Sequence, residues 1–172
     1  MARLSWPLFC AHSPLPYQAS TDRGRSWTEH AVPDSLGAVH MNVVPARDGR
    51  GLLAFYRSRW ADRVYRSTSA DGVAWSAPQP TVLPNNNSSI QVVRLAHGRH
   101  AGWLAMVFND ISAEQATERR VSLYDEIEGE DEAGAAYAAP AAGTRTAFWG
   151  TPLAPMTLAL SDDDGQTWPI RR

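Results

Sequence analysis

Two arginines, Arg57 and Arg59, directly follow an apolar run and are well suited to bind an anion. The planar guanidinium group donates two parallel hydrogen bonds, which match the two oxygens of a carboxylate. His40 lies at the start of another apolar run and could carry a proton near neutral pH. These residue types favour a site for an anionic ligand, with His40 as a proton shuttle.

Further polar side chains follow other apolar runs. Asn109 and Asp110 end the run of residues 104–108, and Asp110 could act as a general acid or base. Asn85, Asn86 and Asn87 provide amide groups that can donate to and accept from sugar hydroxyls. The pattern suits a ligand that carries both hydroxyl groups and a negative charge.

Each candidate also has a structural interpretation, and the sequence leaves both open. Arg57 could pair with Asp62 or with the acidic run at residues 124–132. His40 could be a hydrogen-bonded lining residue. The asparagine-rich segments could simply stabilise turns.

A repeat that ends in tryptophan positions these candidates. Residues 20–27 and 161–168 both match Ser-x-Asp-x-Gly-x-x-Trp. The aspartate accepts hydrogen bonds from its own turn, the glycine takes a positive φ, and the tryptophan covers the turn, so we expect the turn tryptophans to be buried in the core. We expect three such turns, built from Ser20, Asp22, Gly24, Trp27, Thr68, Gly72, Trp75, Ser161, Asp163, Gly165 and Trp168.

The copy at residues 68–75 is degenerate. It has Thr68 in place of the serine and Ala70 in place of the aspartate, with Asp71 displaced by one position. We expect this turn to keep its glycine and its tryptophan but to lose the carboxylate that stabilises the other two.

The runs between the turns repeat as well. Residues 39–45 and 88–94 align with an offset of 49, and each is followed by a glycine-containing turn and a second apolar run. A third run leads into each tryptophan turn, and a fourth follows the first two turns. Four antiparallel strands in about 45 to 50 residues are typical of a propeller blade. The sequence therefore predicts an all-β fold with about two and a half blades.

The spacing of the tryptophans indicates an insertion. Trp27 and Trp75 are 48 residues apart, whereas Trp75 and Trp168 are 93 apart. Residues 111–154 include an acidic stretch and an Ala/Pro/Gly tract, a composition that favours a solvated loop. We predict the end of one blade at 16–36, a full blade at 37–84, and a blade at 85–172 that carries insertion 111–154 and lacks its last strand.

Blade geometry separates the turns from the polar candidates. Loops between third and fourth strands lie on one face of a propeller, whereas loops between second and third strands, and between blades, lie on the other. His40, the two arginines, the asparagine run and Asn109 are therefore expected opposite the tryptophan turns.

Composition excludes several other classes. The chain has 16 Lys+Arg against 18 Asp+Glu and no basic run, which argues against nucleic acid. Apolar stretches fall far short of the ~20 residues of a membrane span, and the first ten residues do not match a secretory signal. A single cysteine, Cys10, forms no internal disulfide, and no ligand spacing suggests a metal, so we expect no metal or cofactor and leave the compartment open.

The repeats resemble the Asp boxes of the sialidase (neuraminidase) superfamily. Residues 55–59, 83–87 and 107–110 more narrowly resemble bacterial predicted neuraminidases. The resemblance implies a six-bladed β-propeller of which this chain is a fragment, with the missing blades as its partners. Sialidases of this family bind the substrate carboxylate through three arginines, and the Arg-Ile-Pro segment that usually supplies the first is absent here. Tyr124 beside Asp125 and Glu126 has the form of the family's tyrosine nucleophile pair.

Three functions fit these observations. The first is a sialidase-like exo-glycosidase acting on an anionic sugar, inactive as this partial chain alone, with Asp110 and His40 catalytic and with Arg57, Arg59, Asn85, Asn86, Asn87 and Asn109 binding substrate. The second is a propeller polysaccharide lyase, in which arginine or asparagine neutralises a uronate carboxylate and His40 abstracts the neighbouring proton. The third is a non-catalytic propeller that binds carbohydrate or protein, since Asp boxes are structural.

Overall fold

The computed structural model describes residues 14–117, 145, 147–148 and 150–172, together with the backbone of residues 4–7. Every regular element in these residues is a β-strand, and the strands form three antiparallel sheets. The first sheet contains β1 (Leu4–Pro7), β2 (Pro16–Ser20) and β3 (Thr28–Ala31). The second contains β4 (Ala38–Pro45), β5 (Leu52–Ser58), β6 (Arg63–Ser69) and β7 (Gln79–Pro84). The third contains β8 (Gln91–Arg94), β9 (Leu104–Asn109), β10 (Met156–Ser161) and β11 (Ile170–Arg171).

The strands of each sheet follow one another in chain order, as in a propeller blade. The second sheet runs β4-β5-β6-β7, and the third repeats this order from β8 to β11. The predicted all-β, partial six-bladed propeller is confirmed. No helix in the described part of the chain is long and apolar enough to span a membrane.

The sheets pack face to face around two apolar cores. One core joins the first sheet to the second and includes Tyr17, Tyr56 and Trp75. The other joins the second sheet to the third and includes Phe55 and Phe108, among others. Strand β5 contributes to both cores because its alternate residues face opposite neighbours. Complete burial of a side chain such as Phe55 stabilises the fold by about 1.5–3 kcal/mol.

The turns after β2 and β10 have the predicted Asp-box geometry. In the first, Gly24 N donates to Ser20 Oγ over 2.7 Å, and Asp22 Oδ1 accepts from Ser26 N over 2.8 Å. Hydrogen bonds from Ser26 and from Ser20 hold the pKa of Asp22 at about 2. In the last turn Asp163 accepts equivalent bonds from the amide and the hydroxyl of Thr167. An ionised carboxylate therefore organises each of these turns.

The middle turn corrects the expectation that its carboxylate is lost. Asp71 Oδ1 accepts from the amides of Val73 and Ala74 at 2.8 Å each, and Gly72 N donates to Ser69 Oγ at 2.8 Å. The serine of this copy is therefore Ser69 and not Thr68. The copy is one residue shorter because it lacks the positive-φ residue that precedes the glycine in the other two turns, Arg23 and Asp164.

The prediction that all three turn tryptophans are buried is wrong for Trp27. Trp75 and Trp168 are 6% and 5% exposed, whereas Trp27 is 41% exposed. Each buried tryptophan packs into the core shared with the preceding sheet, and Trp168 meets Phe55 edge-on at 6.0 Å between ring centroids. Trp27 is exposed because the described residues include no sheet before the first one.

The sheets also differ at both ends from the predicted blades. Residues 170–171 form a short fourth strand, in which Ile170 pairs with Leu160, although we expected the last blade to lack one. Strand β1 adds residues 4–7 to a sheet expected to begin near residue 16. The acidic run and Tyr124, Asp125 and Glu126 lie outside the described residues.

Candidate functional site

Arg57 and Arg59 lie at the end of β5, on the opposite edge of the sheet from the tryptophan turn. Strand β6 runs antiparallel to β5 and leads into that turn, so the two features occupy opposite rims. Both arginines are 8% exposed. Arg57 Nη1 donates to the carbonyl oxygen of Asn87 over 2.7 Å, and Arg59 N donates to that of Gly37 over 2.9 Å. The predicted placement opposite the turns is therefore observed.

The neighbouring charges give this rim a positive character. Burial lowers the pKa of Arg57, and the adjacent charge of Arg59 lowers it further. The proposed ion pair between Arg57 and Asp62 is not found, because Asp62 Oδ2 binds Arg145 Nη2 at 3.0 Å and accepts from Tyr65 Oη at 3.0 Å. The other structural alternative, a pair with the acidic run, concerns residues outside the described part.

His40 lies on the innermost strand, at an irregularity in the pairing of β4 with β5 between Val39 and Asn42. Its backbone has a φ of 55°, a conformation that few non-glycine residues adopt without surrounding support. Its Nδ1 lies 3.2 Å from Ser89 Oγ. Burial lowers the pKa of His40, and the charges of Arg57 and Arg59 lower it further. His40 is therefore neutral at pH 7, which suits a group that accepts a proton.

The asparagine run braces the loops around the arginines. Asn85 is fully buried, and its Oδ1 accepts from the amides of Ser58 and Asn87. Asn86 Nδ2 donates to Pro152 O over 2.7 Å. These two amide groups are used within the protein, so they shape the site from inside.

Asn87 combines a brace with a free acceptor. Its Nδ2 donates to Phe148 O over 3.0 Å, and its backbone has a φ of 62°. Its Oδ1 is buried and accepts no hydrogen bond in the described structure. A buried amide oxygen without a donor is costly, which makes this atom a candidate acceptor for a ligand hydroxyl.

Phe148 lies against the arginine loop, a contact that sequence reasoning missed. Phe148 N donates to Arg59 O over 2.7 Å, and Thr151 is 4% exposed. The Ala/Pro-rich composition around this segment suggested a solvated loop, and no periodic pattern marks it as a packed one. A second missed contact joins Gly37 to Trp60, where a Cβ on the glycine would lie 2.3 Å from the indole ring.

Asn109 and Asp110 belong to the third sheet and have different surroundings. Asn109 occupies the position in the third sheet that Arg57 occupies in the second. Each lies five residues after the strand residue that pairs with the serine of the turn. The Oδ1 atom of Asn109 is buried and accepts no hydrogen bond among the described residues. Asp110 Oδ1 lies 3.6 Å from Arg171 Nη1 of the outermost strand. Among the described residues Asp110 forms its ion pair with Arg171 and not with Arg57 or Arg59.

A depression with a cavity volume of about 580 Å³ lies beside the outer strands of the second sheet. Asp62, Tyr65 and Thr81 line part of it, and neither Arg57 nor Arg59 does. Charge and buried polar groups therefore identify the arginine rim as the candidate site. In the described residues no group of three His, Cys, Asp or Glu side chains could hold a metal ion.

Comparison with known proteins gives two findings. A family described as "BNR repeat-like domain" matches residues 5–172. The chain is also similar to the structure of a leech intramolecular trans-sialidase complexed with 2,7-anhydro-Neu5Ac prepared by soaking with 3′-sialyllactose. The sequence identity is 25% and the TM-score is 0.52. The match covers 69% of this chain and 18% of that one, so the chain spans less than a fifth of its length. No curated protein matches the chain.

Proposed function

Because the chain belongs to the family of BNR repeat-like domains, we propose that it is part of a sialidase-like exo-glycosidase that acts on an anionic sugar. The observation that carries the proposal is the pair of buried arginines on the rim opposite the Asp-box turns. The charge of Arg59 acts on Arg57, and a ligand that brings a negative charge would offset this repulsion. A sugar carboxylate supplies that charge with the geometry that guanidinium groups prefer.

The polar atoms around the arginines fit the remainder of such a sugar. Asn87 Oδ1 is available to accept from a hydroxyl, and the Ser89 hydroxyl beside His40 can donate or accept. Asn109 would contribute an equivalent acceptor from the next sheet. The proposal therefore places the carboxylate at the arginines and the hydroxyl groups toward the asparagines.

We assign proton transfer to His40 before Asp110. His40 lies in the field of both arginines, whereas Asp110 is turned toward Arg171 of the outer strand. Near pH 7 the neutral imidazole can accept a proton from water or a sugar hydroxyl and return it to a leaving oxygen. Asp110 remains a second candidate for acid/base catalysis.

A lyase is the second candidate function, because its base must be neutral and His40 lies in the field of both arginines, which lowers its pKa. In a lyase, arginine neutralises a uronate carboxylate, and a neutral base removes the proton on the adjacent carbon. The leaving oxygen then departs as the C=C bond forms. The same arginines and the same histidine would serve either reaction.

Hydrolysis of a fluorogenic sialoside, compared with formation of an unsaturated uronate from a uronate glycan, distinguishes the two candidates. In the longer protein of which this chain is part under the proposal, Arg57→Ala should reduce kcat/KM of the productive reaction about 10- to 100-fold, as expected for a lost charge-assisted hydrogen bond. Arg50→Ala, in an exposed turn on the opposite rim, is the matched control and should leave the rate unchanged. Binding of sialosides without either product would support the non-catalytic alternative, and binding of no anionic sugar would contradict the proposal.

A further inference from the structure

The backbone of Arg59 is hydrogen-bonded on both sides, although this residue lies just beyond the end of β5. Its N donates to Gly37 O over 2.9 Å, and its O accepts from Phe148 N over 2.7 Å. A residue outside the sheet would otherwise keep much of its backbone freedom. Two bonds from segments that are distant in the chain therefore fix the direction in which the Arg59 side chain leaves the backbone.

Asn87 links the same contact to Arg57. Arg57 Nη1 donates to Asn87 O over 2.7 Å, and Asn87 Nδ2 donates to Phe148 O over 3.0 Å. Both main-chain polar groups of Phe148 are therefore used, one toward Arg59 and the other toward the residue that holds Arg57. Because the two arginines are only two positions apart in the chain, these hydrogen bonds form a closed circuit.

Contacts before and after Phe148 attach its segment to the same rim. Arg145 Nη2 binds Asp62 Oδ2 at 3.0 Å, and the Arg145 guanidinium lies 5.1 Å from the centre of the Trp60 ring. Asn86 Nδ2 donates to Pro152 O over 2.7 Å. A charge-assisted bond, a cation–π contact and an amide bond thus hold the segment on both sides.

We infer that Phe148 is a positioning residue, which holds Arg57 and Arg59 in the arrangement that binds an anionic sugar. The inference rests on the proposed function, in which these arginines bind the sugar carboxylate. Phe148 acts through its main chain, so it needs no contact with the ligand. Recognition of a carboxylate by arginine depends on the alignment of the guanidinium plane. A segment predicted from its composition to be a solvated loop therefore contributes to recognition of the anion.

Phe148→Pro tests the inference in the longer protein of which this chain is part under the proposed function. Proline has no amide hydrogen to donate to Arg59 O. Calorimetric titration should show at least about tenfold weaker binding of 3′-sialyllactose, because the arginines are no longer preorganised. Lactose, which lacks the charged residue, should bind as it does to wild type.

Ala101→Pro is the matched control for the loss of one amide. Ala101 N donates to Gly98 O over 3.1 Å in an exposed turn, on the rim where the Asp-box turns lie. The variant therefore also lacks one backbone hydrogen bond, but far from the arginines. It should bind both sugars as wild type does.

Hydrogen exchange of the unaltered protein gives a second test that does not depend on the folding of a variant. Coupling between two sites is reciprocal, so an anion that uses the arginines must stabilise the bond between Phe148 N and Arg59 O. Exchange of the Phe148 amide should slow at least about threefold in saturating 3′-sialyllactose and should not slow in lactose. The Leu95 amide, which donates to Trp103 O over 2.8 Å, should respond to neither sugar.

The outcomes separate this inference from the proposed function. Unchanged binding of 3′-sialyllactose by folded Phe148→Pro, or a Phe148 amide that does not respond to that sugar, would overturn the inference alone. Equal loss of affinity for both sugars would also overturn it, because a positioning role affects only the charged ligand. Equal binding of the two sugars by wild type would contradict the proposed function, and the inference with it.

Discussion

At the scale of single residues, position in a strand decides what a polar side chain can do. Arg57 lies two residues after Phe55 in β5 and therefore faces the same side of the sheet. It lies beyond the apolar core, so its guanidinium group reaches Asn87 in the loop that leads to the next sheet. His40 lies on the inner strand at a backbone irregularity and within the field of both arginines. A shift of either strand by one position would turn its side chains to the other face of the sheet, so Arg57, Arg59 and His40 would no longer lie together.

The environment of His40 predicts a dependence of stability on pH. Because its pKa is lower in the folded state than the ordinary 6.5, the unfolded chain binds more protons as the pH falls below that value. The free energy of unfolding should therefore decrease between about pH 7 and pH 5. Urea titrations at pH 7 and at pH 5 should show a smaller change in the free energy of unfolding for His40→Gln than for wild type. His97→Gln, in an exposed turn, should change with pH as wild type does. Equal pH dependence in wild type and His40→Gln would contradict the partly buried, positively charged surroundings of His40.

The contact of Gly165 with Phe55 predicts a large effect from one methyl group. Gly165 has a φ of 81°, and an added Cβ would lie 2.6 Å from the Phe55 ring. Gly165→Ala should lower the free energy of unfolding by about 2–4 kcal/mol, since it combines backbone strain with a clash between sheets. Gly98→Ala isolates the backbone cost, because Gly98 has a φ of 84° and no neighbour within 4 Å. Equal losses in the two variants by chemical denaturation would show that the turn does not press on the neighbouring sheet.

At the scale of elements, the Asp-box turn is a short structural unit that tolerates the deletion of one residue. Ser69, Asp71 and Gly72 reproduce the hydrogen bonds of the longer turns although the sequence between them is shorter. In the second and third sheets the tryptophan then packs on the preceding sheet, so each of these two turns both closes a hairpin and joins two blades.

The middle turn predicts a measurable role for Asp71. Asp71→Ala removes the acceptor for two amides, those of Val73 and Ala74, and should cost about 1–2 kcal/mol, by analogy with the loss of a helix cap. Asp48→Ala is the control, because Asp48 accepts a single bond, from Arg50 N, in another exposed turn. Thermal unfolding that shows no larger loss for Asp71→Ala than for Asp48→Ala would contradict the assignment of Asp71 to the turn.

The sequence carried enough information to predict the strands and their order, because turn chemistry and apolar runs are local. It misaligned the middle turn, since Thr68 and Ser69 are chemically alike and only the hydrogen bonds distinguish them. It also missed the contact between Phe148 and Arg59, which joins residues 89 positions apart without any repeating pattern. The burial of Trp27 was predicted wrongly because burial depends on a neighbouring sheet and not on the turn itself.

At the scale of the whole molecule, the three sheets place structure and candidate chemistry on opposite rims. The Asp-box turns lie at one edge of every sheet, and the ends of β5 and β9 lie at the other. The buried arginines, the neutral histidine and the free amide oxygens all belong to this second rim or its inner strand. We therefore propose this rim as the place where an anionic sugar binds.

Calorimetric titration with 3′-sialyllactose and with lactose tests this assignment most directly, because the two sugars differ by the charged residue. The account predicts that wild type binds 3′-sialyllactose at least about tenfold more tightly than lactose and that Arg57→Ala abolishes the difference. It also predicts that salt weakens only the charged ligand. Equal binding of the two sugars by wild type, or a preference that survives in Arg57→Ala with the fold intact, would contradict it.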